Sequence, residues 1–321
     1  MKGKISLSVV ISAFNEGEKI KECLKSLSFA DEIIFVDNNS TDKTSEIAQK
    51  YTSKIFIRPN NPMLNINKNY GFIKASGDWI LSLDADERVT PELKEEIKII
   101  TNKQDFAQVF GSEAQAQRDD NGAVNGYWIP RKNIIFGKWI KHTGWYPDYQ
   151  LRLFKKGKGR FPEAHVHEMI DVVGETGRLK NNIIHYNYET IFQFMQKLIY
   201  IYASNEANQL LKNGYKFSWQ DAIRFPFKEF LSRFFAREGY KDGFHGLMLS
   251  ILMAFYHFAI FSLIWERLKF IQTGDERLLQ ETEREFKKSY KELLFWSSLE
   301  KIKTIKKPIK RLAYRILRKF Q

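Results

Sequence analysis

The segment Gly77-Asp78-Trp79-Ile80-Leu81-Ser82-Leu83-Asp84-Ala85-Asp86-Glu87 decides how this chain folds. Residues 79–84 form a short, nearly continuous apolar run, the pattern of a strand buried on both faces. The run stops abruptly in three carboxylates. Upstream, residues 7–12, 32–37 and 54–58 read as three further strands. Helical stretches separate them: one from Asn15, read as its cap, to about residue 27; one opened by Ser40 and Thr41 to about residue 50; one over roughly 64–75. Downstream, Thr90-Pro91-Glu92 puts a capping hydroxyl, a proline and an acid at the start of another helix. Repeated β-α units predict an α/β fold with a mostly parallel sheet flanked by helices, whose ligand edge lies at the carboxyl ends of the strands.

From about residue 106 to 188 glycines, aromatics and short strand-like runs (127–130, 150–154, 183–188) replace the regular alternation, which predicts extra strands and loops over that edge. Beyond residue 190 the chain reads as helical. One helix covers 190–212 and stops at Asn213-Gly214. Ser218 caps the next, which Pro226 is expected to kink or break. Residues 243–265 hold no Asp, Glu, Lys or Arg, and 276–300 read as a charged helix.

Composition narrows the class. A hydrophobic fraction of 43% supports a real core. The net charge is +13, and nine of the Lys and Arg residues lie in 301–321, with no acid among them. The rest of the chain is only mildly basic, so the charge points to a local electrostatic contact and no nucleic-acid partner is expected. Cys23 is the only cysteine, which excludes an internal disulfide or a cysteine zinc cluster and reads as a small core residue. The apolar stretch 5–14 is interrupted by Ser6, Ser8 and Ser12 and no small-residue cleavage site follows. It reads as a buried strand, and a cytoplasmic location is expected.

Three segments carry candidate chemistry. In extended backbone Asp84 and Asp86, two apart, point to one side. Such a pair repels unless a cation joins it, and hard oxygen ligands suit Mg²⁺ or Mn²⁺ shared with substrate phosphates. The plainer reading is an acidic turn. Asp37, at the end of the second strand, can accept hydrogen bonds from a nucleobase or ribose, while Ser40 and Asp42 can simply cap a helix. Ser12-Ala13-Phe14-Asn15-Glu16 follow the first strand, where backbone amides can meet a nucleotide.

Residues 8–16 (SVVISAFNE), 33–44 (IIFVDNNSTDKT), Asn67-Lys68-Asn69-Tyr70-Gly71 and 77–89 (GDWILSLDADERV), in that order and spacing, resemble the donor half of family 2 glycosyltransferases with the GT-A fold, a Rossmann-like architecture. Residues 145–154 (WYPDYQLRLF), Val166-His167-Glu168, residues 239–246 and Trp265-Glu266 are similar to the lipopolysaccharide inner-core β-1,4-glucosyltransferases that act on heptose. The likeness spans about 5–270. It implies a GT-A catalytic domain over 1–188 (donor half about 5–100, acceptor half about 101–188). The sequence pattern itself adds a helical region over 189–275 that can lie at a membrane interface, and a charged helix with a basic amphipathic tail over 276–321.

The resemblance further implies inverting transfer of a sugar, glucose from UDP-glucose, assisted by Mg²⁺ or Mn²⁺. Asp37 would hold the uracil or ribose, within a donor site that includes Ser12, Phe14, Asn15, Glu16, Asn39 and Ala85. Asp84 would touch ribose or metal and Asp86 would bind the metal, with His167 as a further metal or diphosphate ligand. Lys68 and Arg152 would neutralise the diphosphate. Asp148 would be the base that takes the acceptor proton, with Glu168 in reserve; the alternative for Asp148 is a turn or a structural ion pair with Arg152. His142, His185, His245 and His257 read as structural. A lipopolysaccharide-core or other membrane-linked glycan is the implied acceptor, and a polyprenyl phosphate or a peptide is the alternative. A non-catalytic, basic binding protein is the reading that the intact Asp84/Asp86 pair opposes.

Residues 243–265 are long enough to cross ~30 Å of hydrocarbon, yet include His245, Ser250, Tyr256, His257 and Ser262, so a buried or interfacial helix is expected. In the tail Ile302, Ile305, Ile309, Leu312, Ile316 and Phe320 recur among the basic residues, interrupted near Pro308. This basic amphipathic pattern predicts contact with an anionic lipid surface, peripherally on the inner face of the cytoplasmic membrane.

Overall fold

The computed structural model describes residues 6–61, 63–101, 124–163, 168–272 and 277–304. The chain divides into two compact units, Met1–Ile134 with Pro147–Asn187, and Ile135–Tyr146 with Tyr188–Gln321.

In the first unit β1 (Leu7–Ala13) leads to α1 (Ile20–Lys25), β2 (Glu32–Asp37) to α2 (Thr44–Ala48), and β3 (Ile55–Ile57) to α3 (Leu64–Lys74). Then come β4 (Trp79–Leu83), β5 (Glu87–Val89), α4 (Pro91–Thr101) and β6 (Gly126–Ile135). After a short β7 (Lys138–Trp139), which belongs to the second unit, follow β8 (Asp148–Lys155), β9 (Gly159–Arg160), β10 (Asp171–Val172), β11 (Thr176–Arg178) and β12 (Ile183–Tyr188). The main sheet runs β3-β2-β1-β4-β8-β6-β12-β5. The first four strands are parallel; β8 is antiparallel to β4 and β6, and β12 to β5. The sheet is therefore mixed: β-α crossovers order the parallel half, and strands from the region of short runs extend it.

Alternating residues of the central strands feed two cores, as a period of two requires. Val9, Ile11, Leu81 and Leu83 pack with α1 (Ile20, Cys23, Leu24) and α4 (Leu93, Ile97, Ile100). Val10, Ile34, Val36 and Ile80 pack on the other face with Phe72 and Ala75, joined by Leu151, Phe154 and Phe161. Helix α3 comes so close that a Cβ added at Gly71 would lie 2.4 Å from Cγ1 of Val10. Glycine there lets α3 lie on β1 and brings Asn67 and Lys68 over the strand ends.

Two local expectations need correction. Asn15 does not cap α1, which starts at Ile20. Asn15 adopts a left-handed backbone (φ 53°), and its side-chain oxygen accepts from Thr41 N at 2.8 Å; a short amide side chain tolerates that conformation and bonds across to the neighbouring loop. Ser40 and Thr41 likewise precede the helix, and Asp42 accepts from Thr44 N at 2.9 Å where α2 begins.

In the second unit α5 (Ile191–Gln196), a π-helical stretch (Lys197–Ala203) and α6 (Ser204–Lys212) run on continuously. Pro226 lies inside α7 (Asp221–Leu231), which continues past it into a second π-helical stretch, Ser232–Ala236, so it does not break the helix. Next are α8 (Phe244–Arg267) and α9 (Leu278–Thr304). One face of α8, including Leu249, Met253, Tyr256, Ile260 and Ile264, enters the core of this unit with Phe194, Leu198 and Ala207. The opposite face exposes Phe244, Ile251, Phe255, Phe258 and Trp265. By length and composition α8 can cross a membrane, but its buried stripe is that of a helix packed in a protein core.

Candidate active site

The loops after β1 and β2 are stitched together at the carboxyl edge of the parallel strands. Asn38 N donates to Ala13 O at 2.8 Å. The buried Asn38 Oδ1 accepts from Ser12 Oγ at 3.1 Å and from Asn67 Nδ2 at 2.8 Å. Asn15 N donates to Ser40 Oγ and Glu16 N to Thr44 Oγ1. Asp37 is buried and one of its oxygens accepts from Ser40 N at 3.0 Å, so it braces the turn whatever else it binds. Phe14 and Asn39 are exposed beside it.

Asp84-Ala85-Asp86 is a tight turn between β4 and β5, not extended backbone. Glu87 N donates to Asp84 O, and the fully buried Glu87 carboxylate accepts in return from Asp84 N, both at 3.0 Å. The turn gives each aspartate its own partner. Asp84 Oδ1 accepts from Lys68 Nζ and Oδ2 from Arg152 Nη2, each at 2.5 Å. Asp86 Oδ2 lies 3.5 Å from His185 Nε2. Burial alone would raise the Asp84 pKa, but the Arg152 and Lys68 charges outweigh it and hold the carboxyl well below its ordinary range. Ala85 is buried and packs into the core beneath the turn.

On β8, Asp148 accepts four hydrogen bonds. Nε and Nη2 of Arg131 reach its Oδ2 at 2.9 and 2.7 Å, Asn133 Nδ2 reaches the same oxygen at 3.0 Å, and Gln150 Nε2 reaches Oδ1 at 2.9 Å. Burial opposes ionisation here too, yet Arg131 and these donors lower the pKa. The ion-pair partner is Arg131 rather than Arg152, because Arg131 stands directly opposite Asp148 in the β6–β8 register. Arg152 instead bridges Asp84 and Glu87, and Arg131 also contacts Glu87. Cations and carboxylates thus alternate from Lys68 through Asp84, Arg152, Glu87 and Arg131 to Asp148.

The sequence profile described as Glycosyl transferase family 2 matches residues 8–169, half of the chain, and spans all of this network. The chain belongs to glycosyl transferase family 2. It is 28% identical over 264 residues to an uncharacterized glycosyltransferase of Rickettsia typhi, covering 78% of this chain and 84% of that protein. It is 25% identical over 271 residues to the lipopolysaccharide core biosynthesis glycosyltransferase LpsC of Rhizobium meliloti, covering 82% and 93%. Among solved structures it resembles S. aureus TarS 1–349, with TM-score 0.37, 16% identity and 89% of each chain covered.

The remaining candidates of this family 2 member fall elsewhere. Glu168 Oε2 accepts from Asn65 Nδ2 at 3.2 Å and from Glu163 N at 2.7 Å, whereas the bonds around Asp148 come from Arg131, Asn133 and Gln150. His167 lies outside the described residues. The sequence does not single out Glu87, Arg131 or Asn133, and His185 reads there as structural. Arg131 and Asn133 lie two apart in the polar Arg131-Lys132-Asn133 stretch of β6, so they share one face once the strand is known.

Among the described residues no three His, Cys, Asp or Glu side chains are grouped to hold a metal by themselves. Asp86, with Asp84 in the same turn, offers the hard oxygen donors that suit Mg²⁺ or Mn²⁺, with the His185 imidazole beside them, and a substrate diphosphate would complete the coordination.

Proposed function

We propose that this family 2 enzyme is an inverting, metal-dependent hexosyltransferase that moves glucose from UDP-glucose to a lipopolysaccharide-core or other membrane-linked glycan. One observation carries the reading: the Asp84-Ala85-Asp86 turn at the edge of the parallel strands and the base candidate Asp148 belong to one hydrogen-bonded network. The near full-length likeness to LpsC supports the acceptor class.

Asp86, with Asp84 and His185 at its side, would hold the divalent cation, whose chemistry is to offset charge on the departing diphosphate. Lys68 and Arg152 supply two positive charges at the same place and can pass from Asp84 to phosphate oxygens. Asp37 receives the nucleoside, next to the Ser12–Glu16 loop. Asp148 accepts the proton of the acceptor hydroxyl through Oδ1, the oxygen less crowded by donors. Its lowered pKa keeps it ionised, and Arg131, Asn133 and Gln150 fix its aim. Displacement in one step inverts the anomeric centre.

In this reading the enzyme works at the cytoplasmic face of the membrane, held by the basic tail and by the exposed aromatic face of α8. The test is incubation with UDP-glucose, Mn²⁺ and either truncated lipopolysaccharide, a polyprenyl phosphate or a peptide, with the product linkage read by NMR. A β-linked glucosyl lipopolysaccharide, absent with Asp148→Ala, is expected. An α-linked product, or transfer to the polyprenyl phosphate or peptide alone, contradicts the reading.

A further inference from the structure

Asn133 is fully buried on β6, and its amide touches both halves of the network. Its Nδ2 donates to Asp148 Oδ2 at 3.0 Å. A carboxylate only accepts, so this contact fixes which way the amide points and turns Oδ1 toward His185 Nδ1, 2.7 Å away. A carbonyl oxygen also only accepts, so Nδ1 of His185 carries the hydrogen. In the neutral imidazole the lone pair then sits on Nε2, the nitrogen that faces Asp86 Oδ2 at 3.5 Å. Two acceptors facing each other at that distance form half of a cation site, and the other half must come from the ligand.

We infer that Asn133 is a positioning residue: by fixing the tautomer of His185 it presents Nε2 beside Asp86 to the cation that arrives with the diphosphate, and by the same amide it holds the base Asp148. Asp86, His185, Asn133 and Asp148 form a second bridge across the site, parallel to the one through Arg152, Glu87 and Arg131. The inference rests on the proposed function, which assigns the cation to Asp86 and proton transfer to Asp148. It adds that both assignments depend on one buried amide. Partners that orient a metal-binding histidine are typically worth 10- to 100-fold in metal affinity.

The experiment is calorimetric titration of UDP into full-length protein, with Mn²⁺ and with EDTA, for wild type, Asn133→Leu, Asn133→Ala, His185→Gln and the Asn133→Ala/His185→Gln double variant, alongside kcat and thermal melts. Folded Asn133 variants are expected to weaken Mn²⁺-dependent UDP binding about tenfold and leave binding in EDTA unchanged. They are also expected to lower kcat further than His185→Gln does, because only they release Asp148. The double variant should bind no more weakly than the weaker single one, since both act through one imidazole. Should Asn133→Leu fail to fold, the alanine variant and the cycle with His185→Gln carry the test. Unchanged Mn²⁺-dependent affinity in a folded Asn133 variant, or additive losses in the double variant, would overturn the inference. Wild type that binds UDP equally with Mn²⁺ and EDTA would overturn the proposed function instead.

Discussion

Two guanidinium nitrogens of Arg131 converge on a single carboxylate oxygen of Asp148, at 2.7 and 2.9 Å, across the β6–β8 ladder. The pairing holds the Asp148 pKa down, so the base is ionised throughout the neutral range. The sign of its removal follows. In Arg131→Met the carboxylate loses its cation, its pKa rises, and the acid limb of the kcat/KM profile moves to higher pH. Glu87 keeps Arg152, so the fold should survive. A pH–rate comparison checks this; an acid limb that stays in place contradicts the role given to Asp148.

Asp84 and Asp86 should differ when replaced. Asp84 is the partner of Lys68 and of the buried Arg152, so Asp84→Ala strips buried cations and should cost about 3 kcal/mol of stability. Asp86→Ala should cost less stability but lower turnover about 10²- to 10³-fold. Acid unfolding separates them too. The depressed Asp84 pKa contributes stability that is present above the ordinary value of 3.8 and is lost as pH falls through the lower folded value. Asp84→Asn should flatten that loss relative to wild type, and denaturant midpoints taken below pH 4 would show it.

Gly71→Ala sets a methyl group 2.4 Å from Val10 Cγ1. Helix α3 must move off β1, at a cost of about 1–3 kcal/mol, and it carries Lys68 with it. The melting temperature should fall and UDP-glucose affinity should weaken together. A normal melting temperature would mean that α3 does not pack this closely.

The parallel half of the fold was legible because its strands are apolar on both faces, while the start of α4 was marked by its Thr90 cap and those of α1 and α2 were not. The ends of β2 and of α3 were legible for that reason. The antiparallel half was legible only as short runs. Whether β8 inserts between β4 and β6 depends on its pairing with β4 across 70 residues or more, which local pattern does not encode. The site divides the same way. Asp84, Lys68 and Arg152 come together as one cluster. Glu87, Arg131 and Asn133 were not singled out from sequence, and His185 read as structural, because a polar residue within a strand gains meaning only from its cross-strand partner. Asn15 failed as a cap for a related reason: asparagine suits both a helix start and a left-handed turn, and the contact with Thr41 decided between them.

The basic tail yields a separate expectation. Truncation after Thr304 removes seven Lys or Arg residues and leaves the described part of α9 intact. Binding to vesicles containing anionic phosphatidylglycerol should fall at least tenfold, given ~1 kcal/mol per cation at such a surface. Wild-type binding should weaken with added salt. Sedimentation with vesicles checks both, and undiminished binding of the truncated chain contradicts the anchoring role.

The most direct measurement is the rate of UDP release from UDP-glucose as Mn²⁺ is titrated, for wild type and Asp86→Ala at matched concentrations of folded protein. The account predicts release by wild type that rises with Mn²⁺ to saturation and is lost in EDTA, and a rate at least 10²-fold lower for Asp86→Ala at every Mn²⁺ concentration. Equal, metal-independent release by the two proteins would contradict it.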